Sequence, residues 1–126
     1  MKALDTSAVL RFLTQDDEEK AKKVKEVIEN EGVYIPGEVI LECVFILTSK
    51  RHKYKKSRKE VIDLLLDFLT HPQVEVEDEI YLDVLELWKN AGKLSFVDVV
   101  IALKASGKGF ELFSFDSKLV KWFENL

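Results

Sequence analysis

VYIPGEVILECVFILTS, residues 33–49, holds the reading that decides the fold. VYIP is a short β-prone run closed by Pro36, which cannot donate to a sheet ladder. From Gly37 to about Lys50 the residues are nearly all apolar. That run is too long for one strand and contains no turn signal, so it predicts a buried helix. A strand leading straight into a buried helix is the start of a β–α–β unit, and the same alternation recurs on both sides.

Upstream, KALD (2–5) reads as a strand ended by an acid, and TSAVLRFLT follows with helical spacing. DDEEKAKKVKEVIENEG has acids in its first turn and Gly32 as a stop, which predicts a second helix. Downstream, Ser57 with Glu60 three residues on is a capping box, and it opens a helix with Val61, Leu64, Leu65, Phe68 and Leu69 as its apolar stripe. Pro72 ends that helix. VEVE (74–77) alternates like a third strand, EIYLDVLELWKNAG is an amphipathic helix, and SFVDVVIALKASGKG is a second nearly all-apolar one. ELFSF (111–115) reads as a fourth strand and DSKLVKWFENL as a final helix. Strands separated by helices imply a parallel sheet with crossover connections. The expected architecture is a three-layer α/β/α domain with a central parallel sheet of four or five strands, one domain over residues 1–126.

Composition narrows the function classes. Of 126 residues, 47% are hydrophobic and 33% charged, which excludes general disorder. A single cysteine, Cys43, excludes a disulfide framework and reads as a reduced core residue. No secretory signal and no membrane-length apolar run is visible, so a cytoplasmic protein is expected. The net charge is −4, but residues 50–59 (KRHKYKKSRK) carry seven Lys or Arg and no acid, which leaves −11 for the remainder. Lys50, Arg51, Lys53, Lys55, Lys56, Arg58 and Lys59 are candidates to hold a phosphate backbone, with Tyr54 stacking on a base. The alternative is a solvated block that balances the acidic 74–87 segment.

Four acids stand out. Asp5 and Asp116 lie at the carboxyl ends of the first and last expected strands, where open α/β sheets bind ligands. Each also precedes a helix, so each is equally a candidate N-cap. Glu42 sits in VILECVFIL with apolar residues on every side, where an isolated carboxylate would need a partner or a proton. Its alternative is a narrow solvent-facing stripe shared with Glu38. Asp98 repeats the pattern in SFVDVVIALKA, with Ser95-x-x-Asp98 as a possible capping box. Taken jointly, four crowded anions would repel, and two divalent cations would cancel their charge. Oxygen ligands select Mg²⁺ or Mn²⁺, and no Cys/His cluster offers zinc instead. Such a centre suits phosphodiester cleavage. Thr6 and Ser114 are candidates to orient the acids; Ser7 reads as an ordinary turn hydroxyl.

LDTSAVLRFL, PGEVILECVFIL, FVDVVIALKA and ELFSFD, in this order, resemble the PIN domain, and more narrowly the compact VapC-type ribonuclease toxins of toxin–antitoxin pairs. The resemblance spans essentially the whole chain. It implies catalytic, metal-holding roles for Asp5, Glu42, Asp98 and Asp116. It also implies a Mg²⁺- or Mn²⁺-dependent endoribonuclease acting on RNA, often a homodimer, inhibited by a small antitoxin partner. Ser114 departs from the commoner threonine but keeps the hydroxyl, and the 50–59 block is more basic than the pattern leads one to expect. A housekeeping RNA-processing nuclease and a non-catalytic RNA- or protein-binding module are the alternatives. An aspartyl phosphotransferase is disfavoured, because a second acid two residues after Asp5 is wanted and Ser7 stands there.

Overall fold

The computed structural model describes residues 1–126. In chain order the elements are β1 (Lys2–Ala3), α1 (Thr6–Thr14), α2 (Glu18–Glu31), β2 (Val33–Ile35), α3 (Gly37–Thr48), α4 (Arg58–Leu69), β3 (Val74–Val76), α5 (Ile80–Trp88), α6 (Phe96–Gly107) and α7 (Ser117–Glu124). They fall into two units, Met1–Glu79 and Ile80–Leu126.

The first unit contains the sheet. Its three strands run parallel in the order β1-β2-β3, with Lys2 opposite Val33 and Val33 opposite Val74. Each connection passes through helices, as parallel pairing requires. β2 is central, and its Val33 and Ile35 are fully buried. The helices contribute Val9, Leu10, Ile28, Ile40, Cys43, Leu47, Val61, Ile62 and Leu65 to the same core. Phe12 of α1 meets Phe68 of α4 with ring centroids 5.4 Å apart.

Local chemistry fixes the element ends. Asp17 caps α2 by accepting from the Lys20 amide at 3.1 Å. Gly32 ends that helix at a φ of 74° that side-chain-bearing residues rarely adopt, and β2 starts one residue later. Ser57 and Glu60 form both bonds of the expected capping box. α3 begins after Pro36, which has no side chain able to cap; Glu77, just past β3, accepts from the Gly37 amide at 2.8 Å instead. A carboxylate there also suits the positive end of the helix.

The second unit packs α5 against α6 and α6 against α7. Its buried residues are Tyr81, Val84, Leu85, Trp88, Ala91, Leu94, Phe96, Val99, Val100, Ala102 and Leu119. Trp88 stacks edge-on against Phe96 at 5.4 Å and donates its indole N–H to the Leu94 carbonyl at 3.1 Å. No helix is long and apolar enough to cross a membrane.

Two expectations need correction. The sheet has three strands, not four or five, because ELFSF (111–115) pairs with no strand. The segment keeps an alternating pattern, with Leu112 and Ser114 half-buried and Phe113 and Phe115 87% and 96% exposed, but it has no ladder partner. Second, α3 is not buried all round: Glu38, Glu42 and Phe45, at helical spacing, form one exposed stripe. Glu42 therefore lies at solvent, on the stripe shared with Glu38, and not in an apolar interior.

Candidate active site

Asp5 is placed by the β1–α1 junction. It is the N-cap of α1, and its Oδ1 accepts from the Ala8 amide at 3.0 Å and from the Ser7 hydroxyl at 2.7 Å. These bonds, Ser7 first, hold its carboxyl below the usual carboxylate range. Ser7, read from sequence as an ordinary turn hydroxyl, is thus a direct partner of Asp5. The next residue, Thr6, donates its hydroxyl to Glu42 Oε1 at 3.0 Å. A single dipeptide thereby ties the start of α1 to the exposed stripe of α3, and Asp5 and Glu42 share one neighbourhood of the first unit. Cys43 lies behind them, fully buried. Burial, then the charges of Glu42 and Asp5, push its thiol up to about 12, so it is an inert core group.

The second unit carries the other two acids. Asp98 is half-buried in the first turn of α6, where it forms the capping box with Ser95: its Oδ2 accepts from the Ser95 amide at 3.1 Å and its own amide donates to Ser95 Oγ at 3.1 Å. Asp116 is the N-cap of α7, and its Oδ1 accepts from the Lys118 and Leu119 amides at 3.0 and 3.2 Å. It follows an irregular segment and not a strand. Its backbone is held by Ser114, whose hydroxyl accepts from the Asp116 amide at 3.0 Å. Thr6 and Ser114 therefore both position a candidate acid, one through the side chain and one through the backbone.

One pattern runs through all four. Asp5 is engaged through Oδ1, Glu42 through Oε1, Asp98 through Oδ2 and Asp116 through Oδ1. In every case the second oxygen has no protein partner, and none of the four forms an ion pair in a chain with 19 Lys and Arg. The cap reading and the ligand reading are therefore compatible: a cap consumes one oxygen and fixes the carboxylate, leaving the other for a cation. Each acid is a hard-oxygen donor of the kind that Mg²⁺ or Mn²⁺ takes. No group of three or more His, Cys, Asp or Glu side chains is gathered within either unit as a metal cage.

The basic block is anchored through a residue that sequence reasoning did not single out. Asp16 accepts from Lys53 Nζ at 3.0 Å and the Tyr54 hydroxyl at 2.8 Å through Oδ2, and from Thr14 Oγ1 at 2.9 Å through Oδ1. Arg11 approaches it at 3.4 Å. Lys53, Tyr54 and Arg11 hold its carboxyl well below the usual range. Tyr54 is half-buried, with Lys53 Nζ 5.3 Å from its ring centroid, so its ring forms part of the loop anchor. Lys50, Arg51, Lys55 and Lys59 are exposed, while Lys56 and Arg58 are half-buried. Lys55 adopts a φ of 45°, and the Lys56 amide donates to the Leu47 carbonyl at 2.7 Å.

The model of the PIN domain family matches residues 2–122. The chain belongs to the PIN domain family. A relative of this PIN domain, the VapC ribonuclease of Aquifex aeolicus (strain VF5), is 30% identical over 96% of this chain and 91% of its own length. No solved structure matches the chain. The match runs through all four acids, so they belong to the matched region whichever unit carries them.

Proposed function

We propose that the protein is a divalent-metal-dependent endoribonuclease that hydrolyses RNA phosphodiester bonds, the toxin component of a toxin–antitoxin pair. Asp5, Glu42, Asp98 and Asp116 are its metal-holding, catalytic acids, and residues 1–126 act as one nuclease domain. The observation that carries this reading is the common state of those acids: each is oriented through one oxygen, leaves the other open, and lacks a cationic side chain. Membership in the PIN family and likeness to a VapC ribonuclease support the reaction class.

Bound Mg²⁺ or Mn²⁺ would supply an activated water and stabilise the departing oxygen. The chain's own contributions are more specific. Ser7 and the Ala8 amide keep Asp5 ionised. Thr6 fixes the rotamer of Glu42, which otherwise swings freely on an exposed helix face. Ser114 holds the Asp116 backbone at the start of α7. The 50–59 block supplies the phosphate contacts.

Phe45 on α3 and Val97 and Ile101 on α6 are large apolar side chains left at solvent. They are candidates for surface covered by an antitoxin or a second copy of the chain, and we place the protein in the cytoplasm as a homodimer with that partner.

The test is cleavage of a labelled RNA with Mn²⁺ or Mg²⁺, compared with EDTA and with Asp98→Asn and Asp116→Asn. Cleavage requires the metal and is lost in both variants. Activity that persists in EDTA and in both variants rejects the metal mechanism.

A further inference from the structure

Helix α2 carries Lys20, Lys22, Lys23 and Lys25 in close succession. At 3.6 residues per turn, Lys20, Lys23 and Val24 share one face, while Lys22 and Lys25 point away from it. The first face looks across a groove at α1. That groove has a volume of about 340 Å³ and is lined by Ser7, Ala8, Arg11, Lys20, Lys23 and Val24. Three cations over an apolar floor, with no acid among the lining residues, match a phosphate flanked by a sugar. Lys23 forms no ion pair, and Lys20 approaches Asp17 only at 4.0 Å while Asp17 is engaged as a helix cap.

The ends of the groove connect to both features already described. At one end Ser7 donates to Asp5 Oδ1, whose partner oxygen is open. Arg11 is held by Asp16, the same carboxylate that holds Lys53 at the head of the basic block. The two basic surfaces of the first unit therefore meet at one residue. Arg11 is the side chain suited to a phosphate there, since its planar fork offers paired donors.

We propose that the groove between α1 and α2 binds the phosphodiester backbone of single-stranded RNA through Arg11, Lys20 and Lys23, and leads it from the basic block to Asp5. This rests on the ribonuclease reading above and adds a second set of backbone contacts, outside residues 50–59.

The experiment measures binding, not cleavage, with a fluorescent oligouridylate in EDTA across a range of salt. The double variant Lys20→Glu/Lys23→Glu is compared with Lys22→Glu/Lys25→Glu, which changes the charge of the same helix equally but on its other face. A third variant, Lys20→Gln/Lys23→Gln, removes the cations without adding repulsion and keeps strong helix formers, so folding is retained. The groove pair is expected to bind at least about tenfold more weakly, and loss of two phosphate contacts lowers the single-strand salt slope by about 1.4. The opposite-face pair stays close to wild type. Equal losses from both faces would show bulk charge alone and overturn the groove. No loss from the groove pair, with weakened binding on reversal of Lys55, Lys56 and Lys59, would overturn the groove and leave the ribonuclease reading standing. Wild-type protein that neither binds nor cleaves RNA removes both. Displacement of the RNA by an oligoglutamate of equal charge and concentration would mark the groove as a seat for an acidic protein segment and overturn the RNA assignment.

Discussion

Replacing Asp16 by Ala removes the contact that joins the α1–α2 junction to the basic block 38 residues later. The Asp16 side chain is 20% exposed, whereas Lys53 is 70% exposed. The hydrogen bonds from Thr14 and Tyr54 therefore outweigh the ion pair. Each is worth about 1 kcal/mol at most after exchange with water. The Lys53 and Arg11 pairs, with the lysine at solvent, add little beside them. The expected total is about 2 kcal/mol, a fall in Tm of about 8 °C for a chain of this size. Asp16→Asn retains the Thr14 bond and loses the charge, so it costs about half as much. The sign of the pH dependence follows from the direction of the shift. A carboxyl held below its unfolded value, 3.8, contributes stability that is fully present above that pH. That stability is lost as pH falls through the folded value. The Tm gap between wild type and Asp16→Asn should be constant from neutral pH down to about pH 5 and narrow by about pH 3. A double-mutant cycle with Tyr54→Phe isolates the hydroxyl, and a coupling of about 1 kcal/mol is expected because the two groups touch. The reasoning is refuted if Asp16→Ala melts with wild type, if the gap is as wide at pH 3 as at pH 7, or if the cycle is additive.

Three further outcomes are expected. Thr6→Val should leave Tm nearly unchanged, since Glu42 is at solvent, but weaken Mn²⁺ binding about 10- to 100-fold by releasing the glutamate, as calorimetry will read. Lys55→Gly should raise stability by about 0.5–1 kcal/mol in thermal or urea unfolding by relieving the left-handed backbone, while weakening RNA binding through the lost cation. Cys43, with its thiol pushed up to about 12 by burial, should resist a disulfide reagent in the native protein at pH 8 and react at the rate of global unfolding; fast labelling would show that α3 opens locally.

The helix starts were legible because their chemistry is local. A hydroxyl or carboxylate three residues from an amide can be read along the chain, and Asp5, Ser57, Ser95 and Asp116 all cap as the sequence implied. What the sequence hid was pairwise and distant. ELFSF has the period of a strand, but a strand exists only where another offers its ladder, and nothing in five residues names that partner. Asp16 looked like one of the acids in a helix's first turn because its partners Lys53 and Tyr54 arrive only through the packing of α1, α3 and α4. Glu42 misled for a different reason. A helix with apolar residues on most sides can still keep a one-residue-wide polar stripe, and the stripe of Glu38, Glu42 and Phe45 even contains an aromatic.

That correction changes the physics proposed for the acids without removing them. A buried Glu42 would have needed a cation to compensate lost hydration, so metal binding would have been bound up with folding. On the proposed reading, an exposed Glu42 steadied by Thr6 needs no such compensation, so metal binding and folding should be separate events. Metal affinity should then depend on how well the caps and hydroxyls hold the carboxylates, and only weakly on core stability. The two are separable by experiment. A core-loosening Leu65→Ala, expected to cost about 2–5 kcal/mol, should lower Tm strongly while leaving Mn²⁺ affinity in the folded fraction within a few-fold of wild type, whereas Thr6→Val should do the reverse. Parallel losses of stability and metal affinity in both variants would show that the ion is part of the fold, and would overturn the assignment of the caps as the positioning elements.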